Sequence, residues 1–142
     1  MSESESDNRG PKDDVSQGEA ARPVIRVRAC TRAELVPGEV VSVALPKGAN
    51  RRPREALVLL GSDGAPRCYL NECRHLPIPI DLGSKRYLTN DKRHLLCGTH
   101  GALYRLDDGV CVTGPCLSLA LSALPLIEED GVLHVDVSAL DP

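Results

Sequence analysis

Residues 73–118 read CRHLPIPIDLGSKRYLTNDKRHLLCGTHGALYRLDDGVCVTGPCLS, and their pattern decides the fold. Pro77, Pro79, Gly83, Gly98, Gly101, Gly109, Gly114 and Pro115 punctuate the stretch. Three short apolar runs lie between them: His94–Leu96, Ala102–Leu106 and Val110–Val112. They read as brief strands in a loop-rich zone. The zone holds two short motifs, Cys73-Arg74-His75 and Cys97-Gly98-Thr99-His100, with residues 76–96 between them.

The flanks on both sides read as strands. Upstream, Val24–Arg28 is rich in β-branched residues, and Thr31–Leu35 suits a single helical turn before Pro37-Gly38. Glu39–Leu45 and Glu55–Leu60 follow as strands, separated by the polar loop Pro46–Pro53. Ser62-Asp63-Gly64 is a hairpin turn signal that pairs Arg67–Asn71 back. Downstream, Leu124–Ile127 and Val132–Val137 form a closing hairpin about Asp130-Gly131. Many short strands with frequent turns predict an all-β sandwich or barrel. Its core is built from small aliphatic side chains, because the chain has three Tyr and neither Phe nor Trp.

The chain of 142 residues fits one domain, residues 23–138, with the loop-rich subdomain at about 73–118. Residues 1–22 are read as a disordered tail. They hold almost no large apolar side chains, so they cannot offset the entropy of ordering. The tail is acidic, with six acids against three bases, and accounts for the whole net charge of −3. No basic footprint or set of stacking aromatics suggests nucleic acid. No apolar run reaches the roughly 18–20 residues that cross a bilayer, and the polar acidic start resembles no secretory signal. The expected location is cytoplasmic, where six cysteines point to metal ligation or free thiols before disulfides.

Each motif offers one thiolate and one imidazole, in the order Cys, His, Cys, His. A zinc finger usually groups its cysteines in one loop and its histidines in another. The interleaved order suits a two-metal centre better: each loop gives its Cys to one iron and its His to the other. A mononuclear zinc site stands as the rival.

Residues 24–137 resemble a Rieske ferredoxin along their length. The similarity rests on the opening V-x-V strand, Glu34-Leu35-x-Pro37-Gly38, Asp63-Gly64 and Cys73-Arg74-His75. It continues through C-G-T-H-G-A-L-Y at 97–104, Asp108-Gly109, Gly114-Pro115 and Asp130-Gly131-Val132. The resemblance implies a Rieske fold: an antiparallel sandwich or barrel base with a small loop-rich cluster-binding subdomain inserted. It implies one [2Fe–2S] cluster per chain, with Cys73 and Cys97 on one iron and His75 and His100 on the other. It also implies that Gly114-Pro115 forms a third loop shielding the cluster. The gap between the motifs is several residues longer than the family's usual one. The surplus is placed near Tyr87–Asp91, read as a polar turn remote from either ligand.

The implied function is a soluble one-electron carrier and not an enzyme. It would take electrons from a reductase and pass them to an oxygenase-like or other redox acceptor, without nucleic acid or membrane. Rival readings are a small electron-transfer subunit of a multicomponent oxygenase or nitrite-reductase-like complex, a zinc-binding module, and a redox sensor using Cys111 and Cys116. Two thiolates and two neutral imidazoles leave the oxidised centre formally neutral, where four thiolates leave a dianion. An electron therefore enters more easily. The family's high-potential members have a disulfide between positions that correspond to Ile78 and Thr99, and a serine where this chain has Ala102. Lacking these, the chain is expected near the low end of the Rieske potential span, with Tyr104 either bonding a sulfur or merely packing.

The remaining candidates read as structural. Cys111 and Cys116 are either a redox-sensitive pair or small fillers beside the Gly114-Pro115 loop. Cys30 and Cys68 are buried fillers at strand ends, and His94 and His134 are strand or surface residues. Arg51-Arg52-Pro53-Arg54 is a solvated loop or, failing that, a docking patch.

Overall fold

The computed structural model describes residues 25–46, 53–73, 78–98 and 101–138. Nine strands and one short 3₁₀ turn occur among them. They are β1 Arg26–Thr31, β2 Val41–Leu45, β3 Arg54–Leu60, β4 Pro66–Leu70, β5 His94–Leu96, β6 Leu103–Arg105, β7 Cys111–Thr113, β8 Leu126–Glu129 and β9 Val132–Asp136. All pairing between these strands is antiparallel, in three sheets ordered β1-β9-β8, β2-β3-β4 and β5-β6-β7. The expected all-β architecture is what the chain adopts.

Strand ends differ from the sequence reading by a residue or two. Glu39 and Val40 stay outside β2, and the closing hairpin starts at Leu126: Leu124 N–H donates to Cys68 C=O of β4, and Pro125, which has no N–H to give, only accepts from Asp136 N–H of β9. The helical turn is a 3₁₀ turn, Arg32–Glu34, held by Thr31 N–H donating to Glu34 Oε1 at 2.7 Å. Residues 1–24, including the whole acidic tail, lie outside the described residues.

The hairpin turns follow from residues that tolerate positive φ. Asp130 and Gly131 have φ of +53° and +77°, the combination a two-residue β8–β9 turn needs. Gly64, at φ +81°, closes the β3–β4 turn, where Ala65 N–H also bonds Asp63 Oδ1 at 2.9 Å.

β3 organises the molecule. It is buried on both faces, and its alternation sends side chains to two different cores. Ala56 and Val58 join Cys30, Val43, Cys68, Leu133 and Val135 in the base core. Leu57 and Leu59 join Tyr69, Leu95, Cys97 and Tyr104 in the second core. β4 splits in the same way, Cys68 and Leu70 to one side and Tyr69 to the other. The β2-β3-β4 sheet is thus a shared wall between the base and the inserted subdomain. Leu57 is fully buried and Leu59 nearly so; each contributes about 1.5–3 kcal/mol by leaving water.

Two cross-links bind the subdomain to this wall. Tyr69 donates its hydroxyl to Leu106 C=O at 2.7 Å. Asp107 accepts from Ser62 N–H at 2.5 Å and Ser62 Oγ at 2.6 Å, while its own carbonyl accepts from Arg67 Nε at 2.8 Å.

Tyr87–Asp91 departs from expectation. Tyr87 and Leu88 are buried in the same core as Cys97, Leu88 bridges Leu95, and Leu96 N–H donates to Tyr87 C=O. The polar turn is shorter and later, closed by Lys92 N–H donating to Thr89 C=O and by Thr89 Oγ1 bonding Asp91 Oδ1. An edge segment beside β5 must bury its apolar side chains, so Tyr87 and Leu88 support the second motif's strand instead of standing away from it.

Candidate metal centre

Cys73 follows β4 and Cys97 follows β5, and each opens a loop of the same form. Cys73 N–H donates to Ile78 C=O at 2.8 Å, and Cys97 N–H donates to Ala102 C=O at 2.9 Å. Both cysteines therefore bond the carbonyl five residues ahead. Gly101, at φ +71°, makes the second reversal possible, with its N–H on Cys97 C=O at 3.0 Å. Gly98 N–H donates to Ile80 C=O at 2.8 Å and ties the loops together.

The first loop is anchored by a buried polar clamp that the sequence reading missed. Asn71 donates to Glu55 Oε1 and Asp81 Oδ1, each at 3.1 Å, and accepts from Ile80 N–H at 2.8 Å. Asp81 in turn accepts from Lys85 N–H at 3.0 Å. Asn71 and Asp81 are the only buried polar or charged residues among those described, and burial without these bonds would cost several kcal/mol. The available signal was an Asn two residues before the first motif and an Asp six residues beyond it.

Cys73 and Cys97 are buried in one core with Ala102, Tyr104, Cys111 and Cys116. The Tyr104 hydroxyl lies 3.4 Å from Cys73 Sγ. Tyr104 thus both packs and reaches a sulfur. β6 supplies the geometry by pairing Tyr104 with Leu95 and Cys111. Cys116 is buried in this core, and burial pushes its thiol pKa up. Gly114 lets the third loop approach: a Cβ there would stand 2.8 Å from Ala102 Cα. That loop covers the Ala102 side of the site.

None of the six cysteines is in a disulfide. Cys30 and Cys68 sit inside β1 and β4, not at strand ends, and both are buried. Burial pushes the Cys30 thiol up and the Cys68 thiol up to about 12, which leaves them unreactive fillers. Cys111 donates to Thr113 C=O at 3.1 Å. His94 and His134 lie in β5 and β9. His75, His100 and Thr99 lie outside the described residues, as do Arg51 and Arg52 of the arginine run, while Arg54 begins β3. Among the described residues no three His, Cys, Asp or Glu side chains converge as a metal site. The donors that are described, two buried cysteines on paired loops with a hydroxyl aimed at one sulfur, fit an iron–sulfur group. Soft thiolates, shielded from water and hydrogen-bonded from outside the ligand set, are what such a group requires.

Residues 26–125 match the family model of the Rieske [2Fe-2S] domain. The chain belongs to the Rieske family. Such a domain carries one [2Fe–2S] cluster, and that cluster is the cofactor. A chloroplastic chlorophyllide a oxygenase of Oryza sativa subsp. japonica is 33% identical over 82 residues, which are 56% of this chain and 14% of that protein. Among solved structures, the terminal oxygenase of carbazole 1,9a-dioxygenase from Nocardioides aromaticivorans IC177 superposes with a TM-score of 0.60 at 24% identity. The overlap is 82% of this chain and 31% of that one. The Sphingomonas yanoikuyae B1 ferredoxin gives 0.58 at 24% identity, covering 79% of this chain and 98% of that one. These structural likenesses show the Rieske fold. The chain spans only a small part of the oxygenases. No helix among the described residues is long and apolar enough to cross a membrane.

Proposed function

We propose that Cys73 and Cys97 ligate one iron and His75 and His100 the other, and that the chain works as a soluble, ferredoxin-like carrier of single electrons. The observation that carries this reading is the pairing of two loops closed alike, which delivers Cys73 and Cys97 into one buried core with Tyr104 3.4 Å from Cys73 Sγ. The bound cluster supplies one-electron redox chemistry. The chain's own residues exclude water, orient the two thiolates and donate a hydrogen bond from Tyr104 to the Cys73 sulfur. The overlay on nearly the whole of a ferredoxin supports a carrier over an enzyme. The proposed donor is a reductase and the proposed acceptor an oxygenase-like protein. The fold neighbours include a complex of reduced oxygenase and oxidised ferredoxin in carbazole 1,9a-dioxygenase.

Metal and acid-labile sulfide analysis, read with the visible spectrum, tests the proposal. Two irons and two sulfides per chain are expected, with Cys97→Ala losing the cluster and Cys111→Ala keeping it. Stoichiometric zinc in a colourless protein refutes the cluster. Loss in Cys111→Ala with retention in Cys97→Ala refutes the ligand set.

A further inference from the structure

The segment between the two motifs carries charge that neither the cluster site nor the fold uses. Between Lys85 and Arg93 there are two lysines and two arginines against one acid, Asp91, whereas acids and bases cancel over residues 23–142 as a whole. Lys85, Arg86, Lys92 and Arg93 are all exposed. Lys85 pairs with Glu55 at 3.5 Å, and Asp91 is held by Thr89 Oγ1 at 2.6 Å and by the Arg93 N–H at 3.0 Å. The Arg86 guanidinium donates to the neutral Asn90 side chain. Among the described residues no carboxylate forms an ion pair with Arg86, Lys92 or Arg93. Lys85, Arg86 and Lys92 line a hollow of about 440 Å³ between their own segment and Gly38–Val40, and Glu39 is the one carboxylate on its wall. Tyr87 also lines it; the residue is 7% exposed, and its hydroxyl has no hydrogen-bond partner among the described residues. A donor is therefore left over beside the cations. A neighbouring hollow of about 550 Å³ shares Gly38 and Lys92 and adds Arg93.

We propose that this basic hollow is the docking surface for a redox protein that presents carboxylates, and that one electron passes there between partner and cluster. The proposal deepens the carrier reading and rests on it. Charge selects the occupant: ammonium and guanidinium groups can only donate, and a carboxylate accepts from all of them. The extent of the patch selects a protein, because the cations spread over two adjoining hollows, wider than one small anion spans. The positive field also steers an acidic partner during encounter and weakens with salt. The position suits electron transfer. Leu96 N–H donates to Tyr87 C=O at 2.9 Å, Leu96 directly precedes Cys97, and Tyr87 shares a core with Cys97. The wall of the hollow is thus one hydrogen bond and one residue from a proposed ligand. A donor docked here loses one electron and the cluster gains it, with no bond formed and no proton moved.

The test follows reduction of the oxidised, cluster-loaded full chain by stopped flow with two one-electron donors. One is reduced plant-type ferredoxin, an acidic protein whose potential lies below the Rieske span. The other is reduced methyl viologen, a small cation. Cluster content and midpoint are measured on every variant. Arg86→Glu/Lys92→Glu is expected to slow the ferredoxin reaction about tenfold at low salt, to flatten its salt dependence, and not to slow the viologen reaction. Glu39→Lys should act in the opposite direction and speed the ferredoxin reaction. Arg26→Glu/Arg28→Glu makes the same charge change on β1, lines neither hollow, and should slow the ferredoxin far less. An unchanged ferredoxin rate in Arg86→Glu/Lys92→Glu with full cluster overturns the proposal and leaves the carrier reading standing. Equal slowing by the two reversals traces the effect to net charge, and equal slowing with the two donors traces it to the cluster; either result overturns it. Inorganic phosphate that slows the wild type beyond a chloride control of equal ionic strength makes the hollow a small-anion site and overturns it as well. A wild-type chain without iron instead defeats the carrier reading itself.

Discussion

Ala102 illustrates how one side chain bears on the chemistry. It is fully buried, its carbonyl accepts from Cys97 N–H, and its Cα faces Gly114. A methyl group has no proton to offer a bridging sulfide, so the reduced state lacks one stabilising bond. The midpoint is therefore expected near the lower end of the family range of roughly −150 to +300 mV. Protein-film voltammetry near neutral pH checks this, and a midpoint above about +200 mV would contradict it. Ala102→Ser adds the missing donor and should raise the midpoint while the cluster content stays the same. The sequence leaves Tyr104 either bonding a sulfur or merely packing; in the structure β6 aims its ring at Cys73, thirty-one residues away along the chain.

At the level of elements, turns and cross-links hold the two ligand loops at fixed distance from the shared sheet. Gly109 shows the constraint. Its φ is +73°, and a Cβ there would meet Tyr69 Cε1 at 2.8 Å. Gly109→Ala combines a left-handed backbone cost with overpacking against a buried ring and should destabilise by about 2–4 kcal/mol. Gly64→Ala, at φ +81° with open space around it, should lose only about 1–2 kcal/mol. Urea unfolding of the two variants separates the contributions, and equal losses would show that Tyr69 does not constrain the Asp108-Gly109 turn.

The carboxylates at these turns set an acid limit. Hydrogen bonds from the Ser62 hydroxyl and N–H hold Asp107 below the usual carboxylate range. The Ala65 N–H and Arg67 do the same for Asp63, as do Arg105 and the Val110 N–H for Asp108. A pKa lower in the folded state means that the unfolded chain binds protons first as pH falls. The stabilisation is then complete above the ordinary Asp value of about 4 and is lost progressively below it, through the depressed folded values. Thermal melts from pH 7 down to pH 2 should show a falling Tm below about pH 4, and Asp107→Asn should flatten that limb. A Tm that rises on acidification would contradict the assignment.

For the whole molecule, the two cores share one sheet. The base core takes Ala56 and Val58 while the site core takes Leu57 and Leu59, so base and subdomain are coupled through β3. The acidic tail holds almost no large apolar side chains to offer either core. A chain beginning at Arg22 should keep the visible spectrum and midpoint of the full chain. Loss of colour on truncation would show that the tail packs on the domain.

Much of this was determined by the sequence alone. The paired Cys-x-His and Cys-x-x-His motifs, the Gly and Pro punctuation of 73–118 and the period-two strands are local patterns, legible because ligand chemistry and backbone permissiveness act over a few residues. The β5 limits, His94–Leu96, and the hairpin turns at Gly64 and Asp130-Gly131 could be read directly for that reason. Other features required the tertiary structure. Nothing local distinguishes Tyr87 and Leu88 from the polar turn beside them, and their burial is decided by β5 needing an apolar neighbour. The Asn71–Asp81 clamp, the aim of Tyr104 at Cys73, and the separation of Cys116 at the ligand pocket from Cys30 and Cys68 in the base core all depend on which strands pair. The six thiols are alike as residues. Only the packing of β3, with one face toward each core, decides which of them meet the site and which fill the base.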